Sequence, residues 1–134
     1  MMQKGDSLPR VEKQVDQARI EQYASASGDF NPIHIDQEFA TQTQFGGAIA
    51  HGMMVAATIS EIMTSAFGAD WSRTGKMKIR FRSPVKPGQT VTAQGSVRKV
   101  TTEGDYNRIS CSVTVVKDDG EVAISGQTEV TVTV

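Results

Sequence analysis

A single cysteine, two histidines and no block of like charge narrow the function classes open to this chain. With Cys111 alone no internal disulfide can form, and its place in an alternating run marks it as a small buried hydrophobe rather than a nucleophile. The 14 basic and 15 acidic residues give a formal net charge of -1. Lys76, Lys78, Arg80, Arg82, Arg98 and Lys99 read as scattered rather than massed, so nucleic acid is not expected as a partner, whereas a small anionic ligand is compatible. No uninterrupted apolar run is long enough to span a bilayer, and Met-Met-Gln-Lys-Gly-Asp at the N-terminus lacks the apolar core of a signal peptide. The expectation is a cytoplasmic protein without membrane contact. The 134 residues fit a single domain, 1–134, long enough to bury its own core. No repeat or low-complexity linker divides it.

What is present changes character once. Up to about Gly68 the pattern suggests loops and helices, and from Gly75 onward apolar and polar residues alternate, which together predict an α+β protein. A short helix is expected over Gln17–Ala26, capped by Asp16 and ending near Gly28. A second is expected from Gln37 to about Gln44, capped by Asp36, with Phe39 on its buried side. The clearest element runs from Met53 to Phe67 and is closed by Gly68; it is apolar on nearly every side over its first two turns, so the domain should wrap around it. The wrapping strands are expected at Lys76–Val85, Thr90–Val100, Tyr106–Lys117 and Glu121–Val134. Pro87-Gly88 and Asp118-Asp119-Gly120 are turn signals that make much of the sheet antiparallel.

The two histidines carry most of the chemical information. Pro32 fixes its own φ and pushes Asn31 away from helix, so Asp29 and His34 are expected on an irregular loop that can fold back on itself. A carboxylate and an imidazole brought together there can hold one water, take a proton from it and return another to a substrate carbon. A structural role is equally open to them: Asp29 capping a turn, His34 a satisfied buried ring. A metal site built from Asp29, His34, Asp36 and His51 is not expected, for there is no HExxH, no cysteine pair and no recognisable ligand spacing.

The second candidate is Ala50-His51-Gly52-Met53, at the start of the apolar helix. The first amides of a helix have no internal partner and sit at its positive end, so an oxygen gaining negative charge is stabilised there. Gly52 lets a ligand approach the backbone closely. An ordinary helix entry, with Gly52 chosen for its conformation, would look the same.

Together, Gly28-Asp29-x-Asn31-Pro32-x-His34 and Phe45-Gly46-Gly47-Ala48-Ile49-Ala50-His51-Gly52-Met53 resemble the signature of MaoC-like (R)-specific enoyl-CoA hydratases. The similarity extends to Arg80-Phe81-x-x-Pro84-Val85-x-x-Gly88 and covers most of the chain from about Tyr23. The resemblance implies the hot-dog fold, a curved antiparallel sheet wrapped around a long central helix, and homodimers formed through the sheets. It implies Asp29 and His34 as catalytic dyad, with Asn31 supporting the loop and its water. It places the Gly52 amide on the thioester carbonyl oxygen, and Ser60 near the dyad and acyl pocket, although a Ser60 hydroxyl bonded back to its own helix is an alternative. His51 is a positioning residue in this reading. Met54, Ala57 and Met63 are candidates for the acyl pocket, and no cofactor or metal is implied.

The expected reaction is reversible hydration of a trans-2-enoyl-CoA to an (R)-3-hydroxyacyl-CoA by syn addition. Three alternatives share the fold. One is dehydration of 3-hydroxyacyl groups on acyl-carrier protein or on branched dicarboxylic thioesters. A non-catalytic acyl-binding module should lack the dyad, and a thioesterase should lack the GDxNPxH motif.

Overall fold

The computed structural model describes residues 2–133 as β1 (Val11–Val15), α1 (Gln17–Ser27), α2 (Pro32–Ile35), α3 (Gln37–Thr41), α4 (Gly52–Phe67), α5 (Ala69–Thr74), β2 (Lys76–Phe81), β3 (Gln89–Glu103), β4 (Tyr106–Lys117) and β5 (Val122–Thr133). The strands form one antiparallel sheet in the order β1-β3-β4-β5-β2. Along β4 the alternation is strict: Asn107, Ile109, Cys111, Val113, Val115 and Lys117 are buried, and the residues between them face outward. That pattern belongs to a sheet with one face on the core and the other in water. Register shifts at Val97/Lys99 and Val115/Val116 bend the long strands.

Helix α4 packs on the inner face. Ile59, Ile62 and Met63 are fully buried and join Ile20 of α1 and the inward residues of β3, β4 and β5 in one core. Burying each of these larger side chains stabilises the fold by about 1.5–3 kcal/mol. α4 is not enclosed on every side, however: Met53, Ala57, Glu61 and Thr64 recur at helical spacing and are all exposed. Its apolar first turns therefore leave Met53 standing 64% exposed.

The helix signals hold in detail. Asp16 Oδ1 accepts the Arg19 amide at 2.8 Å, and α1 ends at Gly28, whose φ of 78° suits glycine and whose amide reaches Ala24 O. α3 is shorter than expected because Thr41 and Thr43 turn their hydroxyls back onto Gln37 O and Ala40 O, ahead of Gly46-Gly47. Its buried residue is Ala40, and Phe39 is 47% exposed rather than buried. The expected strand from Lys76 to Val85 stops at Phe81, and the Arg82–Val85 segment leaves the ladder to form one wall of a cavity. Val134, expected in the last strand, and Met1 lie outside the described residues. Among the described residues no helix is long and apolar enough to cross a membrane.

Candidate active site

The segment expected to be an irregular loop contains a turn of helix. Asn31 caps α2 by accepting the Ile33 amide on Oδ1 at 3.1 Å, and Pro32 occupies the first helical position, where its missing N–H costs nothing. Pro32 thus sets residue 31 outside the helix, as expected, but starts one immediately after it. His34 sits in the last part of this turn, and Gln17 of α1 donates to its main-chain carbonyl at 2.9 Å.

Asp29 and His34 converge. One carboxylate oxygen of Asp29 and one ring nitrogen each of His34 and His51 lie within 4.8 Å of one another. The Asp29 and His34 side chains do not hydrogen-bond each other directly. Two hydrogen bonds of about 2.8 Å span up to about 5.6 Å, so the gap accommodates a single bridging water. Asp29 Oδ1 accepts the Asn31 amide at 3.2 Å, so the turn-capping role is real, yet it leaves Oδ2 without a partner among the described residues. His34 Nδ1 lies 2.8 Å from Ile49 O. A carbonyl can only accept, so Nδ1 carries the hydrogen and Nε2 presents a lone pair.

His51 ties the pair together. It is 3% exposed, its Nε2–H donates to the main-chain carbonyl of Asp29 at 2.9 Å, and its ring is sandwiched between those of Tyr23 and His34. Its Nδ1 is buried with no hydrogen-bond partner among the described residues. These three groups are also the cluster that could ligate a metal, each histidine through the ring nitrogen that no carbonyl holds.

Because its ring is turned toward Asp29, His51 gives α4 no side-chain cap. His51 O takes the Met54 and Val55 amides, and the Gly52 amide, at the positive end of a 16-residue helix, has no hydrogen-bond partner among the described residues. Gly52 and His34 both line a mainly apolar cavity of about 320 Å³ whose walls include Val55, Phe81, Pro84, Val85 and Ile124. The Ala50 amide donates to Val85 O at 2.8 Å, fixing the glycine-containing loop to that wall. A β-carbon at residue 52 would meet Phe81 Cε1 at 2.9 Å.

Not every expected site residue joins this cavity. Met54 lines a separate groove with Arg19 and Tyr23, and Met63 lies in the core with its sulfur accepting the Thr128 hydroxyl at 3.2 Å. Ser60 is half-buried on α4 and lines neither space, and Ala57 is exposed. Sequence reasoning missed Lys117, which is 7% exposed and donates from Nζ to Pro84 O in the cavity wall at 3.0 Å. The signal was a lysine in register with Val113 and Val115 on the inward face of β4. Cys111 is buried, and burial pushes its thiol up, partly offset by a hydrogen bond with Thr128.

A family model described as the MaoC like domain matches residues 3–121. The chain is 31% identical over 120 residues to an (R)-specific enoyl-CoA hydratase of Rhodospirillum rubrum, covering 90% of this chain and 81% of that protein. It is 30% identical over 117 residues to a 3-hydroxybutyryl-CoA dehydratase of Methylorubrum extorquens, covering 87% and 73%. Among solved structures, an (R)-hydratase from Aeromonas caviae involved in PHA biosynthesis superposes with a TM-score of 0.82 at 26% identity, covering 96% of each chain. The sheet wrapped on α4 is the hot-dog fold of these neighbours.

Proposed function

The chain belongs to the MaoC-like domain family, and from that membership we propose that residues 1–134 are one catalytic domain adding water reversibly to a trans-2-enoyl-CoA, giving the (R)-3-hydroxyacyl-CoA. At the level of the family it is a hydro-lyase of the hydratase and dehydratase class, as its curated relatives are. The observation that carries the finer reading is that His34, with the Asp29 carboxylate within 4.8 Å of it, lines one apolar cavity together with Gly52.

In this mechanism the Gly52 amide donates to the thioester carbonyl oxygen and stabilises the charge it gains, which makes the β-carbon electrophilic. A water between Asp29 and His34 Nε2 attacks that carbon. Its proton passes to one member of the dyad, and a proton is returned from the dyad to the α-carbon, so one water is added and the enzyme ends as it began. Both protons move on the side of the substrate that faces the dyad, which makes the addition syn. Asn31 holds the dyad turn, and His51 positions both acid/base groups. Val55, Phe81 and Ile124 are the acyl contacts, and Ser60, which lines no part of this cavity, has no part in the reaction.

We assign a homodimer as the active form. The outer sheet face is polar, so pairing of two copies through their β2 edges fits better than face-to-face packing. Exposed Met53 and Phe81, which flank Gly52, would then be covered. The decisive measurement is loss of ultraviolet enoyl-thioester absorbance across a ladder of trans-2-enoyl-CoA esters. Folded Asp29→Asn and His34→Ala proteins should each lose roughly 100- to 10,000-fold in turnover. Parental rates in both variants would overturn the assignment.

A further inference from the structure

We propose that a basic groove on the outer face of β2 holds the phosphates of the coenzyme A carrier, a proposal that rests on the thioester reading above. In the sequence Lys76, Lys78, Arg80 and Arg82 look dispersed, because another residue separates each from the next. Alternate residues of a strand share a face, and β2 with the residue that follows it gathers the four on one side, all exposed. Lys78, Arg80 and Arg82 line a single groove of about 300 Å³ with Ser125 and Gln127 of β5.

Among the described residues nothing acidic answers these three cations. Lys78 is paired across the ladder with Gln127 and Arg80 with Ser125, while Arg82 donates from Nε to Ser125 Oγ at 2.9 Å. Glu129, opposite Lys76, is engaged by Arg108 at 3.1 Å. No ion pair among the described residues includes Lys78, Arg80 or Arg82. Three like charges side by side repel, and their potential adds up where an anion can use it. Arginine further offers a planar fork that matches phosphate oxygens.

The groove is continuous with the catalytic cavity. Arg82 lines both, so the cations lead away from the wall that faces His34 and Gly52. Lys78 is four residues from Arg82, about 13 Å along a strand at about 3.3 Å per residue. An acyl-CoA has the same polarity: a reactive carbonyl at one end, a long uncharged pantetheine arm, and phosphates at the other. With the carbonyl at Gly52 and the arm passing Arg82, the phosphates fall at Arg80 and Lys78.

The test compares two substrates with the same acyl group. Crotonyl-CoA carries the phosphates; crotonyl N-acetylcysteamine thioester carries none. In the exposed double variant Lys78→Gln/Arg80→Gln, KM for crotonyl-CoA should rise roughly 3- to 20-fold with kcat unchanged. Both constants for the N-acetylcysteamine substrate should stay as in the parent. Added salt should raise the parental KM for crotonyl-CoA alone. Arg98→Gln/Lys99→Gln removes the same charge elsewhere and should leave every constant alone. An unchanged KM for crotonyl-CoA, an equal loss on both substrates, or the same rise in the Arg98/Lys99 variant would overturn the proposal. Calorimetric binding of free CoA reads the groove without any reaction, so it separates failure here from failure of the hydratase reading. Parental CoA affinity in Lys78→Gln/Arg80→Gln sinks the groove whatever the enzyme turns over.

Discussion

The ring of His51 lies over that of His34, centroids 3.8 Å apart and planes 24° from parallel, while its Nε2–H holds the main chain of Asp29. One residue thereby touches both members of the proposed dyad, yet its remaining nitrogen is buried and makes no hydrogen bond among the described residues. Two substitutions separate its contributions. His51→Phe keeps the stack and loses the donor; His51→Gln keeps a donor and loses the stack. Each should lower kcat about 10- to 100-fold with little change in KM, since a displacement of about 1 Å at reacting groups has effects of that size. Thermal melting should show both variants folded. If both turn over at the parental rate, His51 is only the residue before a helix.

Gly52 is helical, so its substitution tests space rather than backbone strain. A β-carbon there meets the Phe81 ring at 2.9–3.4 Å, a side chain rather than backbone, so a small shift of that ring relieves the contact. Gly52→Val should therefore fold and lose about 100- to 1,000-fold in turnover, the scale of a lost oxyanion donor. Single-turnover assays of the folded variant check this. Turnover equal to the parent would remove the Gly52 amide from the mechanism.

Much of this geometry was legible because its signals are local. Asp16, Gly28, Pro32 and Gly68 fix ends of helices by their own chemistry, and the Gly28–His34 motif holds the carboxylate and imidazole that the fold brings within 4.8 Å of each other. What was missed depends on partners distant in sequence. The five residues of β1 alternate too briefly to stand out and form a strand because β3 pairs with them. Met54 and Met63 both belong to α4, but only the packing of α1 and β5 decides that neither faces the cavity. The β2 cations looked scattered until the strand placed them on one face.

Lys117 is a case where burial and chemistry combine. Its ammonium sits in the interior and donates to Pro84 O, in the cavity wall, with Glu121 at 3.7 Å as its ion partner. Lys117→Met keeps the length of the side chain and leaves that carbonyl unsatisfied. Urea denaturation should show a loss of about 1–3 kcal/mol. KM should rise with it, because the Arg82–Val85 wall is no longer held. Parental stability would mean that Pro84 O finds water instead.

Self-association should be coupled to activity if a second copy covers Met53 and Phe81. Met53→Glu places a charge on the exposed stripe of α4, outside the acid/base groups. Sedimentation should show weaker dimerisation, and specific activity should fall on dilution at concentrations where the parent remains constant. A Met53→Glu monomer with full activity would contradict the dimeric site.

The sharpest prediction concerns the dyad acting as a unit. Asp29 and His34 approach within 4.8 Å without bonding each other, which suits two groups sharing one water and does not suit two independent catalysts. Losses from groups that serve one step do not multiply. Asp29→Asn/His34→Ala should therefore be little slower than the poorer single variant. Asn keeps the shape of Asp29, including an oxygen that can accept the Asn31 amide, so Asp29→Asn should melt close to the parent. Rates that fall by the product of the two single losses would place Asp29 and His34 in separate steps, and the shared water would have to be abandoned even if each residue is essential.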